Sequence, residues 1–521
     1  MLPLLTPKRA TTSPPPPPPP NYGVYLVTDS TPAILGSRDL VAVVEAALRG
    51  GVTCVQYRDK HGAPAAVVAT ARSLHALTQR YGVPLLINDR VDVAVQVGCE
   101  GVHIGQDDMD VHQARTLLGS GKIVGVTASN VDEAIKACQD GADYLGIGTV
   151  YSTATKKDTK SIIGPSGVRA ILKAMAAAGH GAVPTVCIGG VHTDNAAAVL
   201  AQSSAAPAKS LSGVAVVSAI IAAEDPAEAA RQLAGHVAVA AIPLVVGAVG
   251  RATPLSHNMT NLVVQNFAAN VALAVGASPI MSNYAAEAGD LAKLGGALVV
   301  NMGTVTPDGL ANYKQAIQAY NDADRPIILD PVGAGATAIR RAASAEMLAV
   351  GRFAVIKGNV AELQTLLGQA VTQRGVDSTA EVDVASRARL AAALARRHRT
   401  VVLLTGATDV VSDGARTFRV DNGDAVLGRV TGTGCTLGTV VSAMVAAWPA
   451  DALLAAVAAA AVFGIAAQYA VDRDDVRGPG TFVPAFLDEL HAITRATAEG
   501  DLRWLVRARV QGVLVEQDDE A

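Results

Sequence analysis

Short apolar runs recur at near-even spacing through the first half of the chain, at 23–28, 52–57, 84–87, 101–104, 122–127, 143–148, 184–188 and 213–217, and each ends in polar residues. Between them lie alanine-rich stretches such as 39–49, 63–81 and 131–140, in which apolar positions recur at helical spacing. Runs of this length read as buried strands and the stretches between them as amphipathic helices. Eight alternations in about 210 residues predict a (β/α)8 barrel, with its active site where the C-terminal ends of the strands open into loops. A doubly wound sheet is the alternative.

Residues 222–235 predict a helix that closes the barrel, and the apolar stretch that follows predicts a connector, with the boundary at 237–248. From about 251 the pattern changes: near-continuously apolar runs at 297–301, 326–330, 353–357 and 400–405 read as central parallel strands, and a pair around 410–420 as a hairpin. The expected organisation is a tail at 1–21, a barrel at 22–236, a linker at 237–248, a second α/β domain at 249–510 and an acidic tail at 511–521.

Composition narrows the function classes. With 50% hydrophobic and 17% charged residues in 521, the chain suits two well-buried α/β cores. A net charge of −4 and only 3% aromatic residues argue against nucleic-acid and anionic-membrane partners. Cysteines at 54, 99, 138, 187 and 435 lack CxxC spacing, which points away from disulfides and zinc and toward a reducing, cytoplasmic setting. The proline run before Asn21 predicts a disordered tail, with a short targeting piece as the lesser alternative. The apolar stretches 237–250 and 452–467 are shorter than the ~20 residues of a bilayer span and read as buried helices or strands.

Polar residues at the predicted strand ends carry the candidate chemistry. DYLGIGTVYSTATKKD, residues 143–158, empties a strand into a loop where Thr153, Thr155 and Lys156 suit a phosphate. Gln56, Arg58 and Lys60 alternate along an extended segment, offering a fork and an ammonium to a diphosphate. Asp89 and Asp108 would oppose that anion unless a hard cation lay between them, which implies Mg2+. The glycine pair 189–190 and the backbone at Val217 and Ser218 could cradle a second, smaller phosphate.

VQYRDK, LLINDR, GVHIGQDD, GVTAS, GIGTVYSTATKKD and CIGGV, in this order, resemble thiamine phosphate synthase across 22–236. The resemblance implies that Gln56, Arg58, Lys60 and Asn88 hold an aminopyrimidine diphosphate, with Lys156 on the diphosphate and catalytic. It also implies Mg2+ at Asp89 and Asp108, Thr127 near the pyrimidine, and a thiazole phosphate at Thr153, Thr155, Gly190, Val217 and Ser218.

In the second half VTGTGCTLG, 430–438, runs directly into an apolar helix, so its backbone N–H groups could converge on a transferring phosphoryl group. No GxxxxGK[ST] P-loop is present. HNMTNLVVQNFAAN, GASPIM, NMGT, ILDPVGAGAT, VIKGN, LLTGATD and VTGTGC together resemble hydroxyethylthiazole kinase of the ribokinase-like superfamily. That resemblance implies thiazole contacts at Met281 and Gly432, ATP contacts at Lys357 and Thr405, and Mg2+ at Asp330 and Glu362. Cys435 is then the base or hydroxyl-orienting group, a role that a helix N-terminus would assist by lowering its pKa. The two halves together resemble fused thiamine-biosynthesis enzymes of fungal type. This implies small-molecule substrates and a homo-oligomer, with a catalytically silent binding or scaffold half as the alternative.

Overall fold

The alternation of the first half closes on itself. In a computed structural model that describes residues 20–153, 161–369 and 382–515, β1 (Val24–Val27), β2 (Cys54–Tyr57), β3 (Leu85–Asn88), β4 (Gly101–Ile104), β5 (Ile123–Ala128), β6 (Tyr144–Gly148), β7 (Thr185–Ile188) and β8 (Gly213–Val216) form a closed barrel. All pairings are parallel, and β8 returns to β1. The period of two divides each strand. Val24 and Leu26 face the surrounding helices, whereas Tyr25 and Val27 join Tyr22, Cys54, Leu86 and Tyr144 in a separate cluster that fills the interior.

The second half builds one nine-stranded sheet from β9 (Leu255–Met259), β10 (Ser278–Ile280), β11 (Ala297–Asn301), β12 (Ile327–Asp330), β13 (Val355–Gly358), β14 (Val401–Leu404), β15 (Asp409–Ser412), β16 (Thr417–Val420) and β17 (Val510–Gly512). Its order is β10-β9-β11-β12-β13-β14-β15-β16-β17. Pairing is parallel as far as β14 and antiparallel beyond it. Both faces are covered, which explains the continuous apolar runs: Ala297 and Val299 belong to one core, Leu298 and Val300 to the other.

Three strands, β9, β10 and β17, lie outside the sequence expectation. β9 carries Ser256, His257 and Asn258, all buried, so it does not read as an apolar run. Neighbouring helices satisfy these groups, with Ser256 Oγ 2.7 Å from Ser442 Oγ, Thr439 Oγ1 donating to Asn258 Oδ1 at 2.8 Å, and His257 Nδ1 3.1 Å from Tyr320 Oη. β17 occupies the start of the expected acidic tail, where Gly512 pairs with Phe418 and the Val513 N–H donates to Thr417 O.

The expected linker is the middle of one helix, Pro226–Ala252. Its Ala229, Ala230, Leu233 and Val237 belong to the barrel core, while Ala238, Ile242, Val245, Val246 and Val249 belong to the core of the second half. Burial on both sides favours a continuous helix over a loop. This helix is 27 residues long and Ala452–Val471 is 20, so both reach the length of a bilayer span, contrary to the expectation that the apolar segments fall short. In their most apolar windows, however, 67% and 78% of residues are buried inside the protein.

Candidate active sites

At the mouth of the barrel, β2 and β3 deliver the predicted diphosphate groups side by side. Gln56 Nε2 donates to Asn88 Oδ1 at 2.8 Å, and Lys60 Nζ lies 3.3 Å from Asp89 Oδ2. Arg58 is already partnered, since its Nη1 lies 3.0 Å from the buried Asp29 Oδ2. Asp89 holds the left-handed conformation at φ 62°, a costly state for a residue other than glycine, of the kind concentrated at functional sites. Burial raises its carboxyl pKa and the adjacent Asp108 raises it further, with Lys60 opposing both. A pair of carboxylates that repel one another and face a cationic mouth fits a hard divalent cation.

Beneath this mouth runs a hydrogen-bond chain that the sequence reading missed. Gln56 Oε1 accepts from Tyr25 Oη at 3.3 Å, Tyr25 Oη lies 2.6 Å from Tyr144 Oη, Tyr144 Oη 2.7 Å from His103 Nδ1, and His103 Nε2 2.9 Å from Thr127 Oγ1. It joins Gln56 to Thr127 through the interior. The available signal was a polar or aromatic residue at an inward strand position, which apolar-run counting passes over. Burial lifts the phenol pKa of Tyr25 and Tyr144 well above the usual range, so both phenols stay protonated.

The other predicted residues occupy the ends of β6 to β8. Thr153 lies beyond β6, and Gly190 beyond β7, where Asn195 Nδ2 donates to its carbonyl at 2.9 Å. Val217 precedes the short helix Ser218–Ile221 that follows β8. Thr155 and Lys156 lie outside the described residues.

In the second half the site forms where β11, β12 and β13 end. Asn301 Nδ2 donates to Asp330 Oδ2 at 2.7 Å, Asn261 Nδ2 donates to Asn301 Oδ1 at 3.0 Å, and Cys435 Sγ stands 3.8 Å from Asn261 Nδ2. Lys357 Nζ lies 3.1 Å from Asp330 Oδ1. The asparagines were not among the predicted site residues. Burial disfavours the Lys357 charge, but Asp330, Cys435 and Glu362 outweigh it and keep the ammonium pKa above its usual value. Glu362 accepts from the Gly333 N–H at 2.7 Å and the Asn359 N–H at 2.8 Å, tying two loops together. Burial, then the charge of Asp330, pushes its carboxyl up to about 7.

The glycine turn ends as the sequence predicts. Gly432, at φ 92°, caps the helix Thr433–Ala447, and a Cβ there would fall 2.3 Å from Val264 Cγ1, so no other residue fits. Burial, then Asp330, pushes the Cys435 thiol up to about 11, with Lys357, Asn301 and Asn261 opposing the shift. Met281 follows β10, in a loop where the Ser282 carbonyl lies 3.0 Å from His257 Nε2. The Thr405 N–H donates to Gly358 O at 2.9 Å, which sets it beside Lys357. Among the described residues no group of three or more His, Cys, Asp or Glu is placed to hold a metal ion by itself. A cation would therefore have two carboxylates at the barrel mouth, and Asp330 with Glu362 nearby at the kinase mouth, and would draw its remaining ligands from substrate and water.

Residues 24–220 match the family model of thiamine monophosphate synthase, and residues 246–496 that of the hydroxyethylthiazole kinase family. A probable thiamine biosynthetic bifunctional enzyme of Schizosaccharomyces pombe is 39% identical, over 94% of this chain and 98% of its own length. The thiamine biosynthetic bifunctional enzyme of Saccharomyces cerevisiae is 36% identical, over 91% and 95%. A hydroxyethylthiazole kinase of Listeria monocytogenes is 44% identical over 46% of this chain and 87% of its own length. Both halves are thus matched, in one chain, over most of the length of these bifunctional relatives, and the chain belongs to the bifunctional thiamine biosynthetic enzymes.

Proposed function

We propose that the second half transfers the γ-phosphoryl group of ATP to the hydroxyl of 4-methyl-5-(2-hydroxyethyl)thiazole. The barrel then joins the thiazole phosphate to 4-amino-2-methyl-5-(diphosphooxymethyl)pyrimidine, giving thiamine phosphate and diphosphate. The observation that carries this reading is the presence, in one chain, of two anion-receptive mouths: Arg58 and Lys60 beside Asp89, and the Gly432 turn in front of Lys357.

In the kinase half the hydroxyl oxygen attacks the γ-phosphorus, its proton passes to water or a phosphate oxygen, the bond to the bridging oxygen breaks, and ADP carries away the electron pair. Lys357 and the N–H groups after Gly432 would offset charge on the phosphoryl oxygens, with Thr405 holding ATP and Met281 and Gly432 the thiazole. A neutral Cys435 would orient the hydroxyl. Mg2+ held near Asp330 and Glu362 would neutralise phosphate charge. The two oxygens of Glu362 already accept from backbone N–H groups, so it would act mainly by ordering those loops.

In the barrel the carbon–oxygen bond to diphosphate breaks, the pair leaves with diphosphate, and the thiazole nitrogen bonds to the methylene carbon. Gln56, Asn88 and Thr127 would orient the pyrimidine. Arg58, Lys60 and Lys156 would stabilise the leaving group beside Mg2+ at Asp89 and Asp108. Thr153, Thr155, Gly190, Val217 and Ser218 would bind the thiazole phosphate. A cytoplasmic homo-oligomer completes the reading. Five free cysteines support the location, and the exposed Leu262 and Val263 beside Asn261 are a surface that an assembly would cover.

The test incubates purified protein with the thiazole alcohol, ATP, Mg2+ and the pyrimidine diphosphate, then omits each in turn. Thiamine phosphate is expected only from the full mixture, and thiazole phosphate should replace alcohol plus ATP. If it cannot, the assigned order fails. If one partial reaction is missing, that half is the silent module.

A further inference from the structure

One half-buried cationic side chain at the rim of the kinase mouth has no hydrogen-bond partners for most of its donors. Arg387 lies in the first turns of the helix Val384–His398, which leads back into β14, so this end of the helix sits level with the C-terminal ends of the strands. Its Nε and Nη2 are buried and have no hydrogen-bond partner. The guanidinium lies across Gly406, where a Cβ would come within 2.3 Å of Nη2 and 2.6 Å of Nη1. Any side chain at 406 would displace it.

Gly406 directly follows Thr405, and its N–H donates to Asp409 Oδ1 at 2.9 Å. Asp409 supplies longer-range charge compensation, but burial still lowers the pKa of Arg387 below the usual guanidinium value. Enclosing a guanidinium with unsatisfied donors is unfavourable. A purely structural arginine would have acquired acceptors. Arg340 illustrates this on the same side of the sheet, donating to the carbonyls of Met302, Val332 and Gly303 at 2.7–2.8 Å.

A further cation would also suit the mouth beside Mg2+. Lys357 is committed to Asp330 at 3.1 Å, and Asp330, Glu362 and Asp409 are all carboxylates, whereas a nucleoside triphosphate brings several negative charges of its own. A planar guanidinium fits phosphate oxygens better than a mobile ammonium does.

We propose that Arg387 is an ATP-binding residue, donating from its guanidinium to a phosphate oxygen of a nucleotide laid across Thr405 and Gly406. This rests on the assignment of Thr405 as an ATP contact. It adds a group from the helix before β14 to a site otherwise built from strand ends and the Gly432 turn.

Arg387→Met tests it, with Arg387→Lys as the conservative partner and Arg387→Gln in its place should the methionine variant not fold. Kinase kinetics would be measured against ATP and against the thiazole alcohol, ATP binding by calorimetry, and the ligand-free melting temperature alongside. The expected result is a KM for ATP raised about 10-fold, which is about 1.4 kcal/mol of lost binding, with a smaller rise for lysine. The KM for the alcohol should stay within about 2-fold, and the ligand-free protein should melt no lower than wild type, because a half-buried charge has been removed. An unchanged KM for ATP, or a lowered ligand-free melting temperature with ATP binding intact, would overturn the proposal and make Arg387 a packing residue. Failure of the wild-type protein to phosphorylate the alcohol while still binding ATP would count against the proposed kinase reaction and leave the Arg387 comparison readable by calorimetry.

Discussion

Lys357 Nζ stands 3.1 Å from Asp330 Oδ1, with side-chain exposures of 4% and 1%, and this pair anchors the kinase mouth. Asp330 is also held by Asn301, and Asn301 by Asn261, which reaches Cys435. A shift at one member is therefore felt along the whole row.

Lys357→Met leaves Asp330 buried with asparagine as its remaining partner. Breaking a buried ion pair from one side typically costs about 3–5 kcal/mol. Urea unfolding should show that loss in the kinase half and assays should show kinase activity gone, while synthase activity of the folded protein stays near wild type.

Cys435→Ala should lower kinase kcat by about 10-fold and leave measurable turnover, because a group that only orients the hydroxyl contributes less than the ~10²–10⁴ of a true general base. With the thiol pushed up to about 11, the wild-type pH–rate profile should show no inflection near the usual thiol value of about 8.5. An inflection there that disappears in the alanine variant would restore the thiolate base.

Glu362 has a pH signature in the ligand-free protein. Its carboxyl is raised from 4.5 to about 7 by burial and Asp330, so between those values the folded chain holds more of this proton than the unfolded chain does. Stability must fall as pH rises through that window, with the full penalty present above about 7. In Glu362→Gln the group no longer titrates. The melting temperature of the variant relative to wild type should therefore be higher at pH 8 than at pH 5, and an equal difference at both would refute the assignment.

Asp89→Asn removes a charge while preserving the backbone, because asparagine tolerates the left-handed φ of 62° found there. The Mg2+ concentration for half-maximal synthase rate should rise about 10-fold or more, with kinase activity unaffected. An unchanged Mg2+ requirement would remove Asp89 from cation binding.

The helix Pro226–Ala252 predicts how the chain can be divided. A kinase half starting at 253 lacks Ile242, Val245, Val246 and Val249, all buried in its core, and each large-to-small loss at such a site costs about 2–5 kcal/mol. It should be insoluble or unfolded by circular dichroism. A half starting at 226 should fold.

Much of this was legible in one dimension. Strands buried on both faces, such as β11 and β14, write themselves as continuous apolar runs, and the barrel strands recur at regular spacing. The polar residue after each strand follows from the same constraint, because the chain must leave the core there. Gly432 was readable too, since only glycine suits a left-handed cap pressed against Val264. Periodicity could not reveal partners distant in sequence. β9 reads as polar because Ser256, His257 and Asn258 are satisfied by Ser442, Tyr320 and Thr439, and the boundary near 237 reads as a connector because its two burial surfaces belong to different cores.

The amino-acid order alone determined the two α/β halves, their sequence along the chain and the strand ends where chemistry gathers, because burial imposes its period on the residues themselves. Tertiary structure decided which of those ends act together, the ionisation of Cys435 and Glu362, and the half-burial of Arg387 over Gly406. Those properties depend on distance and desolvation among residues far apart in the chain, which no local pattern records.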